Sequence, residues 1–267
     1  MPEIHASAVI DPAAEIHDDA VVGPHCVVSG RVALAAGVRL MGGCYVEGPA
    51  TIGERTSVYP GTAIGLPPQD FKFAPGSPTA GVVIGEGCVL REHVTIHAAS
   101  NTETPTTLGD GCYLMVGSHM GHDVRVGNRV ILTNHAVVGG HGSVGDGAVL
   151  SAHTAVHQHT RVGRLVMISG CVPVSMDVPP FCLVDGVNTI AAVNVVGLRR
   201  SGAPPESIAA VRNAFRVVLR RSLPRDEAAA KLRELGADEP MVLEMAEFVE
   251  TTKRGICHGR DRSTRRR

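Results

Sequence analysis

An aliphatic residue recurs at every sixth position of this chain, without a slip, from Ile4 through Ile10, Ile16, Val22, Val28, Leu34, Leu40, Val46, Ile52 and Val58 to Ile64. After residues 66–82, which are rich in Pro and polar side chains, the ladder resumes at Ile84, Leu90 and Ile96. It breaks again over 98–107, then runs from Leu108 in steps of six to Val174. A period of six matches neither the turn of a helix nor the alternation of a long strand, but it suits a short strand followed by a turn, repeated. Three such hexads close a triangular coil of about 18 residues, whose stacked copies pair backbones along the sides and fill the axis with the ladder. The expected fold is therefore mainly β, a parallel β-helix over residues 1–198, with both interruptions leaving the prism as loops.

Such a prism needs small residues where the chain turns. The 31 glycines, the absence of Trp and the few Phe and Tyr fit that demand. Cys26, Cys44, Cys88 and Cys112 each lie four places after a ladder residue, in the small slot, which gives them a packing role. The seven cysteines are odd in number and form no Cys-x-x-Cys pair, so neither a disulfide framework nor a thiolate zinc site is expected, and buried free thiols are.

From about residue 200 the pattern changes. Ser201 to Glu206 reads as a break and helix start, and Ile208, Val211, Phe215, Val218 and Leu219 follow at helical spacing. Further helices are expected at roughly 225–235 and 239–252, so 199–255 forms a small C-terminal α-helical domain and 256–267 a frayed basic tail. Residues 1–198 carry nine Lys/Arg against sixteen Asp/Glu, whereas 199–267 carry sixteen against ten. A basic helical surface, including Arg216, Arg220 and Arg221, fits an anionic partner: nucleic acid, lipid or an acidic protein. No apolar run reaches the roughly 18 to 20 residues of a membrane span, and the Met-Pro-Glu-Ile-His start has no secretory signal character. A cytoplasmic protein without an integral membrane segment is expected.

Thirteen histidines are present, most of them between 93 and 159. In an 18-residue coil His135 and His153 fall one turn apart, and His122, His141 and His159 form an approximate column on the outside of the prism, lining a groove.

Seven segments carry a specific resemblance: Gln69-Asp70-Phe71-Lys72, Val94-Thr95-Ile96-His97, His119-Met120-Gly121-His122-Asp123, Gly139-Gly140-His141, Ala155-Val156-His157-Gln158, Asp177-Val178-Pro179-Pro180 and Asn194 through Arg200. In order and spacing the chain resembles the hexapeptide-repeat acyltransferases of lipid A biosynthesis that transfer an acyl group from acyl carrier protein to UDP-N-acetylglucosamine. The resemblance implies a left-handed coil, a homotrimer, and transfer of a 3-hydroxyacyl group to the sugar 3-hydroxyl, the first step of lipid A biosynthesis. It makes His122 the general base, Asp123 its orienting partner and Gly140 the backbone donor to the oxyanion. Gln69, Asp70 and Lys72 match sugar and phosphate contacts, and His97, His119, His141, His157 and Gln158 match positions lining the substrate cleft. Gly170 matches the floor of the acyl groove, and Asn194, Arg199 and Arg200 match the nucleotide side. No cofactor is implied, because the thioester is already activated. The implied partners are acyl carrier protein, a UDP-sugar and two further copies of the chain, not nucleic acid.

Two positions depart from the family pattern: Val196 stands where an acid is usual, and Ser201 where a basic residue is usual. Three other readings stay open on the sequence. These are an N-acyltransferase acting on a 3-amino sugar nucleotide, an inactive scaffold that binds acyl carrier protein, and a metal-dependent β-helical enzyme using three histidines.

Overall fold

The computed structural model describes residues 1–219 and 223–260, and in it each hexad forms a strand of two to four residues closed by a tight turn. Successive strands fall into three parallel sheets, called A, B and C here, so that every third strand is a neighbour. In sheet A, Val21 pairs with Arg39 and Arg39 with Ser57, one 18-residue coil at a time. Ser57 then pairs with Val89 and Val89 with Tyr113, and these longer offsets are the two loops leaving the prism. The three sheets wind as a left-handed parallel β-helix.

The ladder makes the core. Leu40, Val58, Leu90, Leu114, Leu132 and Leu150 stack inside sheet A with no exposed surface, and Ile64, Ile96, Met120 and Val138 do the same in sheet B. Each such side chain stabilises by roughly 1.5–3 kcal/mol relative to exposure, so the coil is held by many equivalent contributions rather than one nucleus. Cys26, Cys44, Cys88 and Cys112 are buried in the small slot; the Cys112 thiol points to the Gly127 carbonyl at 3.1 Å. Cys171 is exposed, contrary to expectation, because it occupies a corner rather than the slot inside the ladder.

The corners require the left-handed backbone region, which non-glycine residues enter at a cost and which Asn, Asp and His tolerate better than most. Asp123, His141 and His159 stand at φ +60°, +57° and +59° on the corner between sheets B and C; His135 and His153 stand at +57° on the corner between A and B. His135 and His153 stack with ring centroids 5.1 Å apart, as the 18-residue spacing predicts.

Beyond Val174 the hexad pattern ends. Strands Cys182–Gly186 and Thr189–Val193 form an antiparallel hairpin, which the sequence reading did not foresee. Among the described residues four α-helices follow: α1 (Val195–Arg200), α2 (Pro205–Val217), α3 (Arg225–Leu235) and α4 (Pro240–Glu250). Proline at the first turn of α2 and α4 sets their starts, since its missing N–H has no helical partner to lose there. Helix α4 folds back on sheet C: Arg161 lies 4.2 Å over the Phe248 ring, and Arg164 pairs with Glu244 at 2.8 Å. Helix therefore begins at Val195, not at 199.

The expected frayed tail is also corrected in its first part. Ile256 bridges to Asp177, Cys257 is buried, and His258–Gly259 adds a strand beside Thr189–Ile190, covering an edge that would otherwise stay unpaired. Residues 261–267 of that tail, and Arg220 and Arg221 of the expected basic surface, lie outside the described residues.

Candidate active site

His122 follows the core residue Met120 by two places, so it leaves sheet B at the corner where the chain turns into sheet C. Its Nδ1 lies 2.7 Å from Oδ2 of Asp123, and the two side chains are only 12% and 7% exposed. The carboxylate accepts from the ring, which places the proton on Nδ1 and leaves the Nε2 lone pair free.

Asp123 is held from the other side by the second loop. The Ser100 hydroxyl donates to Oδ2 at 2.6 Å, the Ser100 N–H reaches both oxygens at 3.1 and 3.2 Å, and Asn101 Nδ2 donates to Oδ1 at 2.7 Å. The Asp123 N–H donates to Thr106 Oγ1 at 2.8 Å. Burial pushes the carboxyl up, but the hydrogen bonds from Ser100, His122 and Asn101 outweigh it and hold Asp123 below the usual carboxylate range. The loops brace each other: the Ala80 N–H donates to the Asn101 carbonyl at 2.6 Å, and the Thr79 hydroxyl donates to the Ala99 carbonyl at 2.5 Å. Ser100 and Asn101 were absent from the sequence reading, since nothing local marks a loop residue that reaches a carboxylate more than twenty positions away.

Gly140 lies one coil beyond His122. A Cβ built there would stand 2.6 Å from His122 Nε2, so the imidazole occupies the space that a side chain at 140 would need. Among the described residues the Gly140 N–H has no acceptor.

The remaining histidines gather around this pair. His141 packs edge-on to His122 at 5.0 Å and stacks on His159 at 4.5 Å, so the expected column exists, with Asp123 rather than His122 as the register partner of His141. His141 Nε2 is 3.6 Å from Asp123 Oδ2. On sheet B, His119 Nδ1 is 2.8 Å from Thr95 Oγ1 and its ring meets that of His97 at 5.3 Å. Burial, and then His97, lower His119 to about 4, so it is neutral at physiological pH. His97 Nδ1 lies 2.7 Å from the Pro67 carbonyl, which roots the first loop beside this cluster. His157 and Gln158 sit exposed on the same corner, two coils from His122. Donor atoms of His122, Asp123 and His141 all lie within 4.8 Å of one another, a grouping that could hold a metal ion.

Other expected site residues lie elsewhere. In the first loop Asp70 accepts the Lys72 N–H at 3.0 Å, and Gln69 and Lys72 are exposed; among the described residues none of the three bonds to His122 or Asp123. Gly170 belongs to the corner between sheets A and B, where its nearest non-neighbour is the Ala152 carbonyl. Asn194 caps α1: its Oδ1 accepts from the Gly197 N–H at 3.0 Å and its Nδ2 donates to the Leu165 carbonyl at 2.8 Å. Asn194 therefore has a capping role in α1. Arg199 and Arg200 are exposed, and Arg200 lines a cleft of about 610 Å³ with Arg129 and Arg164 at the third corner. One chain thus distributes the expected residues over all three corners.

Comparison with known proteins gives this geometry its context. Residues 105–140 match the family described as bacterial transferase hexapeptide (six repeats), and 177–257 match UDP N-acetylglucosamine O-acyltransferase, domain 2. The acyl-[acyl-carrier-protein]--UDP-N-acetylglucosamine O-acyltransferase of Thermodesulfovibrio yellowstonii is 40% identical over 96% of this chain and 100% of its own length. The chain belongs to that acyltransferase family. Among solved structures, UDP-N-acetylglucosamine O-acyltransferase from Moraxella catarrhalis superposes with a TM-score of 0.91 at 32% identity, covering 96% of this chain and 99% of that one. The Francisella novicida UDP-N-acetylglucosamine acyltransferase gives 0.92 at 31% identity, with 98% and 95% covered. The similarity therefore spans both the prism and the helical end of this acyltransferase. No helix among its described residues is long and apolar enough to cross a membrane.

Proposed function

We propose that this acyltransferase moves a 3-hydroxyacyl group from the thioester of acyl carrier protein to the 3-hydroxyl of UDP-N-acetylglucosamine, opening lipid A biosynthesis, with His122 as the base. The observation that carries the reading is the His122–Asp123 pair, whose imidazole packs against Gly140, a residue whose N–H has no acceptor among the described residues. The sugar hydroxyl gives its proton to Nε2 as its oxygen bonds to the thioester carbon. The Gly140 N–H stabilises the oxyanion, the carbon–sulfur bond breaks, and the imidazolium returns the proton to the departing thiolate. Asp123, buried and ionised, orients the ring and stabilises its charged form. The route uses no side-chain nucleophile and no cofactor, and chelator treatment is expected to leave turnover unchanged. Loss of activity with chelator and its return with zinc would instead favour a metal held by His122, Asp123 and His141.

The same reading includes a homotrimer in the cytoplasm. Gly170 and Arg200 sit at corners that one prism keeps apart from His122, and a cyclic assembly brings different corners of neighbouring copies to one cleft. Light scattering is expected to give three chains per particle, and a fully active monomer would refute this. Purified protein incubated with 3-hydroxyacyl carrier proteins and UDP-N-acetylglucosamine should yield a nucleotide sugar heavier by one acyl group and labile to mild base, as an ester is. A base-stable product formed only from a 3-amino sugar would show an N-acyltransferase, and no product with any sugar would leave a carrier-binding scaffold.

A further inference from the structure

Beside the His122–Asp123 pair, on the sheet C side of the corner, lies a cleft of about 630 Å³ between the second loop, the stacked rings of His141 and His159, and the segment that follows α4. Arg125 projects from sheet C into it, and Lys253 and Arg254 enter from the opposite wall. None of the three has a carboxylate partner among the described residues. Arg254 is steered by its Nε, which donates to the Ser175 carbonyl at 3.0 Å.

The carboxylates that share the cleft do not cancel these charges. Asp177 is consumed by Arg161, which donates from Nε at 3.0 Å and from its backbone N–H at 2.8 Å, and by the Thr252 hydroxyl at 2.8 Å. Asp123 is filled by Ser100, Asn101 and His122. Three uncompensated cations thus face one buried anion. Desolvation first, then His141 and Arg254, hold the imidazole of His159 in this cleft below the usual range. Arg125 belongs to the acidic prism, nine Lys/Arg against sixteen Asp/Glu over residues 1–198, whereas Lys253 and Arg254 belong to the basic C-terminal part.

We propose that Arg125, Lys253 and Arg254 form a phosphate-binding subsite that anchors one substrate of the transfer beside His122. The proposal rests on the acyl-transfer reading above. In that reaction both substrates carry phosphate: a diphosphate in the nucleotide sugar and a phosphodiester in the pantetheine arm of the carrier protein. Guanidinium and ammonium groups on two walls suit such an oxyanion, with Arg supplying a fork and Lys a point charge. Because the cations lie off the reacting atoms, they act on substrate affinity rather than on the chemical step.

The test is the Arg125→Ala/Lys253→Ala double variant, with KM measured separately for each substrate. The expected result is a rise of about tenfold or more in one KM, a smaller change in kcat, and recovery in Arg125→Lys/Lys253→Arg. A rise confined to UDP-N-acetylglucosamine assigns the subsite to the diphosphate, and one confined to acyl carrier protein assigns it to the phosphodiester. Calorimetry with inorganic pyrophosphate and with 4′-phosphopantetheine needs no turnover, so it separates failure of the subsite from failure of the acyl-transfer reading. At least one of these probes should bind the wild type and weaken in the alanine variant. Unchanged KM values for both substrates, or equal binding of both probes to wild type and variant, would overturn the proposal.

Discussion

Replacing Gly140 by alanine tests the geometry of the pair without touching either of its members. The new Cβ would stand 2.6 Å from His122 Nε2 and 2.8 Å from Cε1, whereas unstrained contacts begin at about 3.5 Å. One side must therefore move by about 1 Å. The backbone at 140 is fixed by ladder bonds on both sides, with Gly139 N–H donating to the Val156 carbonyl and His141 N–H to the His122 carbonyl. The ring has to yield, and it is tied at Nδ1 to a carboxylate that three other donors also hold. Misplacing a reacting group by 1 Å costs about 10²-fold in rate, and the overpacking itself about 1–3 kcal/mol of stability. Steady-state kinetics on Gly140→Ala should show kcat down by about two orders of magnitude, with a melting temperature only a few degrees lower. Gly186→Ala serves as the control, because a Cβ there meets nothing closer than Thr189 at 3.5 Å, and it should match wild type. A Gly140→Ala enzyme with wild-type kcat would refute the placement of the imidazole over Gly140.

Ser100→Ala removes a charge-assisted hydrogen bond to Asp123; at about 1.5–3 kcal/mol it should lower kcat by roughly ten- to a hundredfold, with Ser100→Thr recovering most of it. Asp177→Ala leaves Arg161 and Thr252 without their acceptor where α4 meets the prism, and thermal unfolding should show a loss of about 2–3 kcal/mol after allowing for the partial exposure of Arg161. His119 binds a proton more weakly folded, near 4, than its ordinary 6.5. The stability it contributes is therefore full above about pH 6.5 and lost as pH falls towards 4, and between pH 7 and 4 the wild type should lose about 3 kcal/mol more than His119→Gln. Parallel denaturation curves for the two proteins would show that His119 is not buried in the neutral form.

The prism was legible because its signal is periodic: a slip of one or two residues would take a ladder residue such as Leu114 off the axis, and none occurs. The same period also fixes which corner a residue occupies. His122, Gly140 and Gln158 fall on one corner, whereas Gly170, twelve residues and two hexads after Gln158, must fall two corners on, between sheets A and B, a consequence that the family motifs alone do not display. What escaped the sequence is what leaves the period. The hairpin at 182–193 gives no hexad signal, and the strand at His258–Gly259 exists only because an edge at Thr189–Ile190 is there to pair with. Asn194, read from sequence only as a nucleotide-side residue, also caps α1, which shows only in its bonds to Gly197 and Leu165. Ser100 and Asn101 lie in a loop without pattern, and their importance comes only from the carboxylate they reach.

The kcat of His122→Ala, measured with 3-hydroxyacyl carrier protein and UDP-N-acetylglucosamine under saturation, tests the role of the His122–Asp123 pair most directly. His122 is at the corner surface rather than in the ladder, so the variant should keep its melting temperature and particle size while turnover falls by about 10² to 10⁴. Turnover within threefold of wild type in a folded His122→Ala protein would contradict the assignment of His122 as the base.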